Sequence, residues 1–86
     1  MKLLGKASLV TGANQGIGRG CCLQLALEGS DVAINYIEGA DEAEELADEI
    51  HRLGRKAILC PGDVSRRDDV DRIVDQTVAE LGGIDI

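Results

Sequence analysis

Three glycines within a stretch of seven residues, Gly12, Gly16 and Gly18, separate a short apolar run from a helical pattern. Glycine tolerates backbone conformations that are costly for other residues. Gly12 is predicted to let the chain turn sharply off a strand, and Gly16 to let backbone N–H groups approach an anion. Gly18 is predicted to let the following helix pack tightly on the strand. This pattern has its full meaning only inside a β-α-β unit, so it constrains the fold strongly.

The rest of the chain repeats the same alternation of strand and helix. Strands are predicted at residues 7–11, 31–37 and 57–60, and a fourth strand is predicted to begin at 84–86. Helices are predicted at 17–28 and 41–53, and a third runs from the capping box Ser65-x-x-Asp68 to the stop at Gly82-Gly83. Strands alternating with helices indicate a parallel sheet with right-handed crossovers. We therefore expect an α/β chain, the β-α-β-α-β-α-β portion of a Rossmann-type doubly wound parallel sheet.

Helical spacing also predicts which side chains the three helices bury. The predicted buried faces are Ile17, Cys21 and Leu25 with Cys22 and Ala26 beside them, then Ala43, Leu46, Ala47, Ile50 and Leu53, and finally Val70, Ile73, Val74, Val78 and Leu81. Because Tyr36 is the only aromatic residue, the core is expected to consist of Leu, Ile, Val and Ala.

Composition excludes several classes of protein. With 86 residues the chain holds at most one domain, and no apolar run approaches the roughly 20 residues of a membrane helix. The net charge of −7 argues against nucleic-acid binding, and the amino terminus does not resemble a signal peptide. The three cysteines are expected to be buried, reduced thiols of a cytoplasmic protein. No catalytic role is expected for His51, and the acids of residues 41–49 are expected to form a solvated helix face and not a metal site.

Four motifs together resemble the short-chain dehydrogenase/reductase family, and they span essentially the whole chain. They are Thr-Gly-x-x-x-Gly-Ile-Gly at residues 11–18, Gly5-Lys6 before the first strand, Asp63-Val64 after the third strand, and Leu-Gly-Gly-Ile-Asp-Ile at 81–86. The glycine spacing matches the main branch of that family. The resemblance implies a protein that binds NAD or NADP in an open α/β sheet.

The resemblance also implies which residues contact the cofactor. Asp63 corresponds to the residue that hydrogen-bonds the adenine amino group, and the Val64 amide to one that contacts the adenine ring. The glycine segment lies near the adenosine ribose and the phosphates, and Tyr36 occupies the position of the acid that selects NAD. The predicted cofactor-binding residues are Gly12, Asn14, Gln15, Gly16, Ile17, Gly18, Tyr36, Asp63 and Val64.

The preference between NAD and NADP stays open. NADP-preferring relatives often carry Arg where this chain has Gln15 and Ile37. Glu38 and Glu42 would repel a 2′-phosphate if they faced it, whereas Arg19 would attract one.

No catalytic residue is expected in these 86 residues. The family's chemistry uses a Tyr-x-x-x-Lys pair, but Tyr36 is followed four residues later by Ala40. We therefore interpret residues 1–86 as the amino-terminal part of a single NAD(P)-binding domain whose catalytic half is absent. The parent enzyme is expected to be a homo-oligomer acting on a small alcohol or carbonyl compound. Two alternatives remain, a stand-alone non-catalytic dinucleotide-binding or regulatory module and a truncation that binds nothing.

Overall fold

The fold of residues 2–86, described by a computed structural model, alternates three parallel strands with three helices. The elements are β1 (Ala7–Val10), α1 (Gly16–Leu27), β2 (Asp31–Tyr36), α2 (Ala40–Arg52), β3 (Ala57–Pro61) and α3 (Arg67–Leu81). β2 lies at the centre, with Val10 of β1 opposite Ile34 and Pro61 of β3 opposite Tyr36. The predicted α/β class and the parallel sheet are confirmed.

The fourth predicted strand does not form, although its residues lie along the free edge of β1. The Asp85 and Ile86 N–H groups both donate to the Ala7 carbonyl oxygen, at 2.8 and 3.2 Å, and Leu9 N–H donates to Ile86 O at 2.9 Å. The Ala7 N–H is bound at 2.9 Å by the Asp85 carboxylate. Ile86 thus makes the two backbone hydrogen bonds of a parallel pairing with β1, but the Asp85 carboxylate takes the Ala7 N–H, so the pairing does not extend into a regular strand.

The two faces of the sheet carry cores of different size. α1 and α2 cover one face, and the larger core lies there, formed by Ala13, Cys22, Ala26, Val32, Ile34, Tyr36, Ala43, Leu46, Ala47 and Ile50. α3 covers the other face, where the buried residues are Ala33, Cys60 and Ile73. Helices on both faces give the doubly wound arrangement, and the core is aliphatic apart from Tyr36 and two cysteines.

The buried face predicted for α1 is confirmed at Cys22 and Ala26 and wrong at Ile17 and Cys21. Ile17 is 88% exposed and Cys21 is exposed, whereas Cys22 and Ala26 are fully buried. Cys22 and Ala26 follow Gly18 at intervals of four residues, so the three share one side of the helix. Gly18 fits closely against the chain after β1, and this contact sets the rotation of α1.

The other two helices differ less from the prediction. In α2 four of the five predicted residues are buried, but Leu53 follows the helix as its C-cap and is 37% exposed. In α3 Val78 is 47% exposed and Thr77 is fully buried in its place. The Thr77 hydroxyl donates to the Ile73 carbonyl oxygen at 2.8 Å, so this polar group is buried without an unmet hydrogen bond.

The cysteines divide into one exposed and two buried thiols, so the expectation of three buried thiols is wrong at Cys21. Burial raises the pKa of Cys22 to about 12, and it also raises the pKa of Cys60. The thiolate is the reactive form of cysteine. Both buried thiols are therefore unreactive for two reasons, because reagents cannot reach them and because they stay protonated at neutral pH.

We expect a maleimide to label Cys21 in the native protein near neutral pH, and Cys22 and Cys60 only after unfolding. Peptide mapping by mass spectrometry measures the labelled positions, with Cys21→Ser and Cys22→Ser variants to separate the two neighbouring thiols. In the native Cys21→Ser variant, the peptide that contains Cys22 should stay unlabelled. Rapid labelling of Cys22 in the native Cys21→Ser variant would contradict the burial described above.

Candidate functional site

The predicted cofactor-binding residues lie together at one edge of the sheet, where the three strands end. Three loops meet there: the glycine loop (residues 11–15), the β2–α2 loop (37–39) and the β3–α3 loop (62–66). The edge formed by the carboxyl ends of parallel strands is where open α/β sheets bind ligands. The predicted residues are distributed over the glycine loop, the first turn of α1, the end of β2 and the β3–α3 loop.

The three glycines of the motif have two different environments. Gly12 and Gly16 adopt left-handed backbone conformations, with φ of +58° and +54°, and a Cβ at either position would meet no atom within 4 Å. Gly18 is closely packed instead, because a Cβ there would lie 3.0 Å from Ala13 Cα and would overlap the Gly12 carbonyl oxygen. The space beside Gly12 and Gly16 is therefore open to a ligand, and Gly18 brings α1 against the glycine loop.

The amino terminus of α1 is electrostatically suited to an anion. Its N-cap residue Gln15 makes no side-chain capping hydrogen bond, and its first turn contains no acid. The first turns of α2 and α3 each contain two acids, which offset the positive end of the helix dipole. Unpaired backbone N–H groups at a helix amino terminus bind phosphate well. These residues therefore fit a pyrophosphate despite the net charge of −7.

Asn14 links the glycine loop to the β2–α2 loop. Its side-chain amide donates to Glu38 O at 2.7 Å and to Gly39 O at 3.2 Å, and the residue is only 7% exposed. Asparagine tolerates a left-handed backbone better than most residues. In the part of the chain that the structure describes only glycines have a positive φ, so this tolerance does not explain Asn14. Its side chain holds two loops of the site together.

Asn35 is a component of the site that the sequence patterns did not single out. It lies in β2, is 2% exposed, and its Oδ1 accepts from Gly12 N–H at 3.4 Å. Its Nδ2 donates to Cys60 O at 3.0 Å and to Gly62 O at 3.1 Å. The available signal was an amide side chain inside an otherwise apolar run, which is unusual in a strand buried on both faces.

Tyr36 contributes to the site mainly through its backbone. Its side chain is 9% exposed and packs in the larger core, while its carbonyl oxygen accepts from Gly62 N–H at 2.9 Å. The next side chain, Ile37, is 67% exposed. Arg19 pairs with Glu49 at 2.7 Å between its Nη2 and the carboxylate Oε1, which joins α1 to α2.

Asp63 forms the turn that leads from β3 to α3. Its Oδ1 accepts from the Ser65 N–H and hydroxyl, at 2.9 and 2.7 Å, and these hydrogen bonds hold the pKa of Asp63 below its usual range. The predicted capping box is therefore wrong, because Ser65 binds back to Asp63 and α3 begins at Arg67 without a side-chain cap. The Asp63 carboxylate stays ionised at neutral pH and is a good acceptor for an amino group.

The described residues contain neither a candidate metal site nor a membrane-spanning helix. Between residues 2 and 86 no three His, Cys, Asp or Glu side chains come together as a candidate metal site. None of the helices in this range has both the length and the apolar composition needed to cross a membrane.

Comparison with known proteins gives consistent matches along the chain. The family model described as short chain dehydrogenase matches residues 6–86. The chain is 48% identical over 86 residues to the uncharacterized oxidoreductase YhxD of Bacillus subtilis, covering 99% of this chain and 29% of that protein. It is 39% identical over 83 residues to the 3-oxoacyl-[acyl-carrier-protein] reductase FabG of Staphylococcus epidermidis, covering 96% and 34%.

Solved structures resemble the whole chain as well. A short chain dehydrogenase from Burkholderia cenocepacia in complex with NADP has a TM-score of 0.95 and 39% identity, covering 99% of this chain and 35% of that one. A 7α-hydroxysteroid dehydrogenase complexed with NADH and 7-oxo glycochenodeoxycholic acid has a TM-score of 0.91 and 33% identity, covering 98% and 32%. The chain thus spans about a third of the length of these proteins.

Proposed function

Because the chain belongs to the short-chain dehydrogenase family, we propose that it forms the dinucleotide-binding part of an oxidoreductase that uses NAD or NADP. The observation that carries this proposal is the start of α1, where open space beside two left-handed glycines meets a helix terminus free of acids. The solved relatives that hold NADP or NADH support both cofactors as candidates.

The chain's own residues suggest how each part of the dinucleotide is held. The N–H groups in the first turn of α1, from Gly16 to Gly18, bind the pyrophosphate. The Asp63 carboxylate accepts from the adenine amino group, and the Val64 amide borders the adenine ring. The end of β2 at Tyr36 lies beside the adenosine ribose. When bound, the cofactor's nicotinamide supplies the hydride acceptor or donor.

The proposed reaction of the full-length protein transfers hydride between the nicotinamide and an alcohol or carbonyl group of a small molecule. Residues 1–86 contain one tyrosine, Tyr36, which is buried and has no lysine four residues later. The acid–base pair is therefore proposed to lie outside this chain, in the same folded domain. A cytoplasmic homo-oligomer is part of the same proposal, which the family resemblance supports.

Titration of the full-length protein with NADH and NADPH, followed by cofactor fluorescence, tests the binding step and decides the preference between the two. Turnover with a panel of ketones and secondary alcohols tests the reaction. Binding together with turnover is the expected result. Binding without turnover on any substrate would favour a non-catalytic module, and no binding of either cofactor would overturn the proposal.

Asp63→Ala is expected to weaken dinucleotide binding about tenfold, because one hydrogen bond to a charged acceptor is lost. Calorimetric titration measures the dissociation constant. Asp71→Ala is the matched control, since it removes an exposed carboxylate of α3 whose partner is Arg67. Nicotinamide mononucleotide, which lacks adenine, should bind both variants equally. A dissociation constant for the dinucleotide unchanged by Asp63→Ala would remove Asp63 from the site.

A further inference from the structure

We propose that Asn35 is a positioning residue, which fixes the spacing between the glycine loop and the β3–α3 loop so that one dinucleotide contacts both. This inference rests on the proposed function, because it assigns the two loops to one bound molecule. It adds a residue that lies beneath the site and is nearly inaccessible, at 2% exposure.

The Asn35 side chain makes hydrogen bonds to chain segments on both sides of β2. A neutral amide offers two N–H donors and a carbonyl acceptor. Both donors are used by β3 and the loop after it, through Cys60 O and Gly62 O at 3.0 and 3.1 Å. The acceptor is used by the glycine loop through Gly12 N–H, with N and Oδ1 3.4 Å apart. The planar amide of Asn35 thus joins the glycine loop to the β3–α3 loop across β2.

The backbone of β2 makes a parallel set of contacts to the same two loops. Ala13 N–H donates to Asn35 O at 2.8 Å, and Gly62 N–H donates to Tyr36 O at 2.9 Å. Each loop therefore keeps one backbone attachment when the Asn35 side chain is removed. We expect substituted protein to fold, with its two loops held less firmly relative to each other.

If packing were the only requirement at position 35, an apolar residue would fit better than asparagine. The side chain lies on the α3 face of the sheet, which it shares with the apolar residues Ala33 and Cys60. Burying an amide there is costly unless every polar atom finds a partner. The partners are main-chain atoms of the glycine loop, β3 and the β3–α3 loop, so the hydrogen bonds that compensate the burial also define the loop spacing.

This spacing matters only to a ligand that touches both loops. A site already held in its bound arrangement loses less entropy on binding. A dinucleotide, which reaches from Gly16 to Asp63, gains from that preorganisation. Adenine alone, without the ribose and the phosphates, reaches only the β3–α3 loop and gains little. The two ligands therefore separate a positioning role from a general loss of stability.

The test compares Asn35→Leu with Ser8→Ala in the full-length protein. Leu keeps the approximate shape of Asn and removes all three side-chain hydrogen bonds. Ser8 is fully buried in β1, and its hydroxyl pairs with Ser30 at 2.7 Å near the amino-terminal edge of β2, away from the loops. For each variant the melting temperature is measured, with the dissociation constants of the preferred reduced dinucleotide and, by competition, of adenine.

Asn35→Leu is expected to weaken dinucleotide binding about tenfold and adenine binding less than about twofold. Ser8→Ala should lower the melting temperature and leave both dissociation constants unchanged. Asn35→Ala replaces the Leu variant if the latter does not fold. Equal losses for the two ligands, or no loss for the dinucleotide, would overturn the positioning role while leaving the proposed function intact. Unsubstituted protein that binds no dinucleotide would overturn both.

Discussion

Gly18→Ala is expected to weaken dinucleotide binding about a hundredfold, the equivalent of about 2.7 kcal/mol. The new Cβ would overlap the Gly12 carbonyl oxygen and approach the Ala13 Cα and Gly12 carbonyl carbon to 3.0 Å. All three are backbone atoms, which cannot turn aside as a flexible side chain can. Either α1 moves away from the glycine loop or the loop moves, and both changes displace the N–H groups proposed to bind the pyrophosphate.

Gly20→Ala is the matched control for this substitution. Gly20 lies two residues further along α1, and a Cβ there would meet no atom within 4 Å. Since alanine is the better helix former, the free energy of unfolding should rise by about 0.5–1 kcal/mol. The dissociation constant should not change. If Gly18→Ala bound the dinucleotide as tightly as Gly20→Ala does, the close packing at Gly18 would have no part in the site.

Leu46→Ala is expected to lower the free energy of unfolding by about 2–5 kcal/mol. Leu46 lies on the buried face of α2 and is fully enclosed in the larger core, so the substitution removes apolar contacts and leaves a cavity. Proteins of ordinary stability have only about 5–15 kcal/mol in total. A large fraction of the stability therefore depends on this one side chain, and chemical denaturation of the full-length protein measures the loss.

Leu27→Ala makes the same chemical change at an exposed position. Leu27 is the last residue of α1 and is 53% exposed. Its substitution should change the free energy of unfolding by about 0.5 kcal/mol or less. Similar losses for the Leu46 and Leu27 variants would contradict the assignment of α2's inner face to the core.

The order of elements could be predicted from the sequence, whereas the rotation of α1 could not. Apolar periodicity and glycine stops place each of the six observed elements close to its true ends. α1 carries apolar residues around most of its circumference, so periodicity alone does not choose between the side of Cys21 and that of Cys22. The choice is made by the contact of Gly18 with the glycine loop, which is a tertiary contact.

The candidate site, like the fold, could be predicted from the sequence only in part. The glycine spacing predicted a tight turn and a helix terminus open to an anion, because backbone geometry follows from residue type at those positions. The bridges made by Asn14 and Asn35 were not predicted, since their partners are main-chain atoms of loops distant in sequence. Ser65 was misassigned as an N-cap, because α3 begins one residue later than predicted, with Arg66 at the N-cap, and the Ser65 hydroxyl donates to Asp63 instead.

Hydrogen exchange of the full-length protein, with and without the reduced dinucleotide, tests whether the cofactor binds across the carboxyl ends of the strands with its pyrophosphate at the start of α1. Added cofactor should slow exchange at residues 12–18 and 62–65, and leave the opposite edge at residues 54–56 unchanged. Protection that spares residues 12–18, or that appears mainly at the opposite edge, would contradict this binding mode.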